Sequence, residues 1–376
     1  MSPEAKRREL PVAGADEAKS RRRTRRGTAA GRPLRIATLA SSCLVFGLLA
    51  VPGVAVAHGP IAPAASSYFA KVLELPAGLE VKVVDGDLRM WMRLPASETL
   101  VVVDYRGAPY LRFSRSGVEV NRNSSMYYLN VTPVALTPPA YLTASTPPSW
   151  HRVTGGHAYE WHDGRLHALA SVALSPGVSF VGRWTIPLRI DGRFSSISGG
   201  LWHADDPSIV WFWPIVVLFA CAMAVWRLRR PELDRVVARM LAITALVVVA
   251  IAGLGLQLHG RPTVTPFQFV ELAAILAFVG WGLSQVLFRP PGYFTCFLIG
   301  VAALWAGGEM FTTLLYGFVL LPLPAFSARL VTVLSLGTGA ALIPFVFRLA
   351  DYDFDRNRKQ RAEARDGEHR GVSALA

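Results

Sequence analysis

Cysteine is scarce in this chain, and so is acidic charge. There are three cysteines in 376 residues, Cys43, Cys221 and Cys296, and each lies inside an apolar stretch. None falls between residues 58 and 206, so whatever folds there does so without disulfides. Asp and Glu number 26 against 39 Lys and Arg, for a formal net charge of +13. Such an excess points to nucleic acid only when the cations share a folded surface. Here they gather in an aromatic-free N-terminal stretch, from Lys6 to Arg35, and around Arg227, Arg229, Arg230 and Arg235. Both places border apolar runs, where membrane topology accounts for the charge, and no nucleic-acid partner is expected.

Catalytic signatures are missing as well. The sequence carries no dinucleotide glycine fingerprint, phosphate-binding loop, paired-cysteine zinc motif, nucleophile elbow or internal repeat. No nucleophile and base stand at a convincing spacing, so the expectation is a protein that is not an enzyme.

What the chain does have is apolar residues, 52% of the total, with a mean hydropathy of +0.34. Residues 1–35 read as a disordered basic cytoplasmic tail or the basic region of a signal. Residues 36–57 read as a signal peptide or anchor helix, broken by Pro52-Gly53 and ending in Ala55-Val56-Ala57, a small-x-small site that places cleavage before His58. Residues 58–206 change to short alternating or β-branched runs with frequent turns, the strand signature of an extracytoplasmic all-β domain, expected as an Ig-like sandwich. Asp85-Gly86-Asp87 predicts a hairpin between strands over 79–84 and 88–94; further strands are expected over 100–105, 110–113, 117–120, 126–131 and 180–190. Residues 207–350 read as a five-helix transmembrane bundle, with spans at about 209–226, 237–258, 266–288, 294–319 and 327–348, and residues 351–376 as a cytoplasmic tail. Basic residues after the first span and in the tail place those ends inside the cell, and hence the β-domain outside a multi-pass cell membrane.

Four groups of residues are candidates for chemistry. In Glu160-Trp161-His162-Asp163-Gly164-Arg165-Leu166-His167, a two-residue turn at Asp163-Gly164 would put Glu160, His162, Arg165 and His167 on one face and Trp161 and Leu166 on the other. Two imidazoles and a carboxylate in cross-strand reach could ligate a transition metal, although the fixed charge of Arg165 opposes a cation, and a surface hairpin with Glu160 paired to Arg165 or His167 is the plainer reading. His58, if it becomes the mature N-terminus, offers an α-amino group and an imidazole to one ion; this Ala-His-Gly start resembles copper sites of the histidine-brace kind in secreted proteins of the CopC type, so copper is the candidate cofactor. Met90 and Met92 flank Trp91, and core packing explains them better than copper handling. Within the membrane, Glu309, placed near the middle of the fourth span, and Glu271 could form a cation relay or stay neutral and hydrogen-bonded between helices. Ser335, Gly337, Gly339, Ala340 and Ala341 read as a close-packing face.

The runs Val101 to Phe113, Gly117 to Arg122, Trp150 to Val153 and Tyr159 to His167 resemble a family of conserved actinobacterial membrane proteins whose secreted β-domain carries a Trp-His-Asp-x-Arg-x-His hairpin. The usual order there has a histidine where this chain has Gly164. The resemblance implies an architecture and a lineage; it implies no activity. The expectation is therefore a non-enzymatic envelope protein, held by the lipid bilayer, whose β-domain binds a metal or another envelope protein. The alternative is an ion-coupled transporter or permease subunit using Glu309 and Glu271.

Overall fold

The computed structural model describes residues 63–130, 136–170, 178–258 and 266–373. The expected basic tail, the signal segment with its cleavage site, and His58 lie outside the described residues, all of which belong to the unit Ala62–Ala376.

The N-terminal region is built on two antiparallel sheets. Its strands are β1 (Ala65–Ser66), β2 (Tyr68–Glu74), β3 (Glu80–Val84), β4 (Arg89–Arg93), β5 (Leu100–Val103), β6 (Pro109–Ser114), β7 (Gly117–Asn121), β8 (Trp150–Thr154), β9 (Ala158–His162), β10 (Phe180–Ile190) and β11 (Arg193–His203). Seven form one sheet in the order β2-β11-β10-β5-β6-β7-β8, and β3-β4-β9 form the other. Met90, Met92 and Trp161 from the smaller sheet share one core with Leu100, Val102, Leu111, Phe113, Ile186, Leu188 and Ile197 from the larger. The result is a sandwich, with the two methionines filling its core. Its strand order, with β5 to β8 wound consecutively, differs from the four-plus-three order of an immunoglobulin domain.

Local chemistry sets the turns. The longest hairpin, β10 to β11, closes on Asp191-Gly192, both at positive φ, as a tight two-residue turn requires. Residues 126–131, expected as a strand, instead begin with helix α1 (Ser125–Leu129). Ser124 caps it by accepting the Met126 N–H, and Ser124 and Ser125 both donate to the buried Asp104 carboxylate at 2.8 and 3.0 Å. Those bonds need the serines on one turn of helix, and they override the β-prone side chains that follow.

Among the described residues the C-terminal part has five α-helices: α2 (Trp213–Arg227), α3 (Pro231–Gln257), α4 (Pro266–Phe288), α5 (Tyr293–Glu309) and α6 (Ala325–Ser373). Four apolar segments, Ile209–Arg227, Pro231–Gln257, Pro266–Phe288 and Ala325–Glu363, are long enough to cross a membrane. The fourth expected span is shorter than its sequence suggested. Helix α5 has 17 residues, about 26 Å, and ends at Glu309, so residues 310–319 are not helical membrane span. They form a 3₁₀ turn, Phe311–Leu314, and a last strand, β12 (Phe318–Val319). Close packing accompanies the glycines of α6. A methyl on Gly339 would meet Leu304 of α5 at 2.7 Å, and one on Gly337 would meet Leu218 of α2 at the same distance.

The two parts are joined by backbone pairing. Strand β1 pairs with β12, Ala65 opposite Val319 and Ser66 opposite Phe318, and the Leu320 N–H donates to the Ala64 carbonyl at 2.8 Å. Phe69 of β2 stacks on Phe318, ring centres 4.2 Å apart. Gly317 lies so close to the Asp205 and Ala204 carbonyl oxygens that a methyl there would overlap both. Gly317→Ala is therefore expected to destabilise the junction by about 1–3 kcal/mol, the usual cost of overpacking. Hydrogen exchange should show faster exchange at Ala65 and Leu320 while β6 and β7 stay protected; unchanged exchange at the junction would refute this account.

Candidate functional site

The Glu160 to His167 segment does not form the expected hairpin. Strand β9 pairs with β4 instead, with Arg89 opposite His162, Met90 opposite Trp161 and Trp91 opposite Glu160. After His162 the chain turns into a 3₁₀ helix, Gly164–Leu166, capped by Asp163, whose carboxylate accepts the Arg165 N–H. The inward residues are as expected, since Trp161 and Leu166 are both buried. The polar residues are redistributed. Glu160 faces Arg89 across the strands at 2.9 Å, and Arg165 leaves the histidine face altogether.

Asp163 is the anchor of this segment. It is fully buried and accepts from Arg165 Nε at 2.8 Å, Arg165 Nη2 at 2.7 Å and Trp161 Nε1 at 2.9 Å. Arg165 also donates to the Val103 carbonyl at 2.9 Å and lies over the Tyr105 ring, and the Tyr105 hydroxyl accepts the Gly164 N–H at 2.7 Å. The carboxylate–guanidinium pair is thus satisfied on both sides, as a buried pair must be. Its residue types were visible in the sequence; its partners, Val103 and Tyr105, stand about sixty positions away and were not.

This anchor presents His162 and His167 side by side, ring centres 5.2 Å apart and tilted by 44°. His167 Nδ1 lies 3.3 Å from the Asp87 carbonyl. The turn carrying Asp87 reaches the domain junction, because a methyl on Gly86 would meet the Tyr68 carbonyl at 2.8 Å and the Ser66 side chain at 3.1 Å, and the Gly86 carbonyl accepts the Ala70 N–H. Burial is the largest influence on the protonation of this face. It holds His162 below the usual histidine value, helped by the His167 imidazole. It also pushes Asp87 up to about 6, against the pull of His167. Among the described residues, no three His, Cys, Asp or Glu side chains converge as a metal-holding group, so Glu160, His162 and His167 are not one ligand set.

The two glutamates expected within the membrane fall elsewhere. Glu309 ends α5, and Glu271 lies in the second turn of α4. Helix direction puts both toward the β-domain end of the bundle rather than at different depths. A residue that the sequence reading passed over is Asp234. It is fully buried, lies 3.6 Å from Arg348 Nη1 and accepts from the Tyr352 hydroxyl at 2.6 Å, while Arg348 donates to the Trp226 carbonyl at 3.1 Å. An acid one turn inside an apolar helix, with Arg348 at the far end of the last apolar segment, was the available signal. Comparison of the chain with protein-family models, curated proteins and solved structures finds no match.

Two measurements check the chemistry of the segment. Arg165→Met leaves the Asp163 carboxylate buried without its ion partner and is expected to cost about 3–5 kcal/mol in chemical denaturation, whereas Asp163→Leu with Arg165→Met should cost less than the two single changes summed. Asp87 has a native pKa raised from 3.8 to about 6, so its contribution is fully present below the unfolded value and is lost as pH rises through about 6. Asp87→Asn should therefore stabilise the protein near about pH 8, with the gain disappearing by about pH 4. His162 has the opposite sign, its contribution present above 6.5 and lost as pH falls through its lowered native value, so His162→Gln should flatten the acid side of the same curve.

Proposed function

We propose that this chain is a non-enzymatic membrane protein of the cell envelope, with its β-domain outside, whose extracytoplasmic face around His162 and His167 binds a partner and passes that event to the helices. The observation that carries the reading is the strand pair β1–β12, a separate two-stranded sheet that ties the segment between α5 and α6 to the first strand of the N-terminal region. A change at the Asp85–Asp87 turn acts on β1 through Ser66, on β12 through the ladder, and so on the start of α6. The orientation follows from charge. Arg227, Arg229, Arg230 and Arg289 stand at the helix ends remote from the β-domain, where the positive-inside rule expects the cytoplasm. Copper or another transition metal would bind the imidazole pair of His162 and His167 only with ligands beyond these two. The resemblance to the actinobacterial family supports the same architecture.

Labelling with a membrane-impermeant maleimide, in a chain whose three cysteines are replaced by serine, tests the orientation: S116C should react in intact cells and R361C only after lysis. The reverse pattern sinks the proposal. Ion flux into proteoliposomes separates it from the transporter reading. We expect no proton or sodium flux that E309Q or E271Q removes; flux abolished by either substitution would decide for transport.

A further inference from the structure

We propose that Arg235, Arg239 and Arg289 form a binding site for the phosphate of an anionic lipid headgroup, in the groove between α3 and α4 at the bundle end remote from the β-domain. Arg239 lies about 12 Å along α3 from Pro231, inside an apolar helix where an uncompensated guanidinium is costly. It does not meet a carboxylate there. Arg239 Nη2 donates to the Arg289 carbonyl at the end of α4 at 3.2 Å, and its Nε is buried with no hydrogen-bond partner among the described residues. Arg289 Nη1 reaches only the neutral Gln285 side chain, at 3.4 Å. Arg235 is four residues before Arg239 and so lies on the same helix face.

None of these three arginines makes an ion pair among the described residues. The one buried acid on this stretch, Asp234, is turned to Arg348 and Tyr352 of α6. Next to the arginines, Val236 and Met240 are 57% and 60% exposed, so this flank of α3 is open to lipid. A site with three cationic forks, an unused buried N–H and an open lipid flank fits a phosphodiester whose acyl chains continue along Val236 and Met240. Basic recesses between helices are a known way of holding anionic headgroups.

The experiment uses the full chain in nanodiscs of zwitterionic phosphatidylcholine, with phosphatidylglycerol exchanged in and retention read by native mass spectrometry. Wild type should retain phosphatidylglycerol over phosphatidylcholine. R239Q and R289Q should each weaken that retention roughly fivefold, the equivalent of about 1 kcal/mol per arginine near the surface. R361Q, equally basic but outside the groove, should leave it unchanged. Equal retention in wild type and the R239Q/R289Q double variant overturns the proposal, as does equal weakening by R361Q, which would mean diffuse attraction. Displacement of the lipid by inorganic phosphate overturns the assignment to a lipid headgroup. R289Q changes an exposed helix end, so it remains informative if R239Q fails to fold.

Discussion

Arg329 holds the arrangement together. Between α5 and α6 the chain abandons the helix at the level of the bundle, where backbone groups without partners would be expensive. Arg329 donates from Nε to the Thr313 carbonyl at 3.0 Å and from Nη2 to the Gly317 carbonyl at 3.0 Å, while the Thr313 and Thr332 hydroxyls meet at 2.9 Å. With those carbonyls satisfied, Gly317 can press against Asp205 and Ala204, and Phe318–Val319 can offer its edge to β1. If α5 continued as helix to residue 319, that edge would be consumed by intrahelical bonds. The β-domain would then be tethered to the bundle by its connecting chain and not by a ladder.

What could be read in the sequence divides along the same line between local and distant causes. The change of pattern near residue 206, the Asp85-Gly86-Asp87 turn and the core role of Met90 and Met92 follow from periodicity and turn chemistry, and the structure has them. Strand β11 had no strong signal, because Ser195, Ser196, Ser198, Gly199 and Gly200 are poor strand formers. Its glycines are required by β10: the Trp184 ring packs on Gly199, and Trp184 Nε1 donates to the Gly200 carbonyl at 3.0 Å. The end of α5 was hidden for a similar reason. Residues 310–319 are apolar enough for a span, and the partners that give their backbone an alternative to helix are distant in sequence: Arg329, sixteen residues after Thr313, and strand β1.

The candidate face shows how a correct parity can rest on an incorrect element. Alternation put Trp161 and Leu166 inside, and both are buried, yet the second arm is a 3₁₀ turn because Asp163 spends its carboxylate on Arg165 and Trp161. Strand β9 then takes its partner from β4, which brings Glu160 to Arg89 and leaves the imidazoles of His162 and His167 facing each other over the Asp87 turn. Arg165, which on a hairpin would have opposed a cation there, is withdrawn to Val103 and Tyr105. The face is therefore less charged than the sequence alone implied. It is also nearer to the junction with the bundle.

Helix α6 connects the two ends of the helical bundle through two arginines. Arg329 binds carbonyls of the segment that joins β1, and Arg348, nineteen residues later, binds the Trp226 carbonyl at the end of α2 and stacks on the Trp226 ring at 4.7 Å. Nineteen residues of helix rise about 28 Å, close to the roughly 30 Å of a hydrocarbon core. Both guanidiniums thus reach backbone carbonyls that the helices cannot satisfy, one toward each end of the bundle. A helix fixed at both ends cannot rotate by one residue, about 100°, without releasing both arginines at once. Pro344 interrupts the hydrogen-bond ladder between the two arginines, four residues before Arg348, yet the helix continues past it to Ser373, so these side-chain bonds hold the segments on either side of the proline in register with their neighbours.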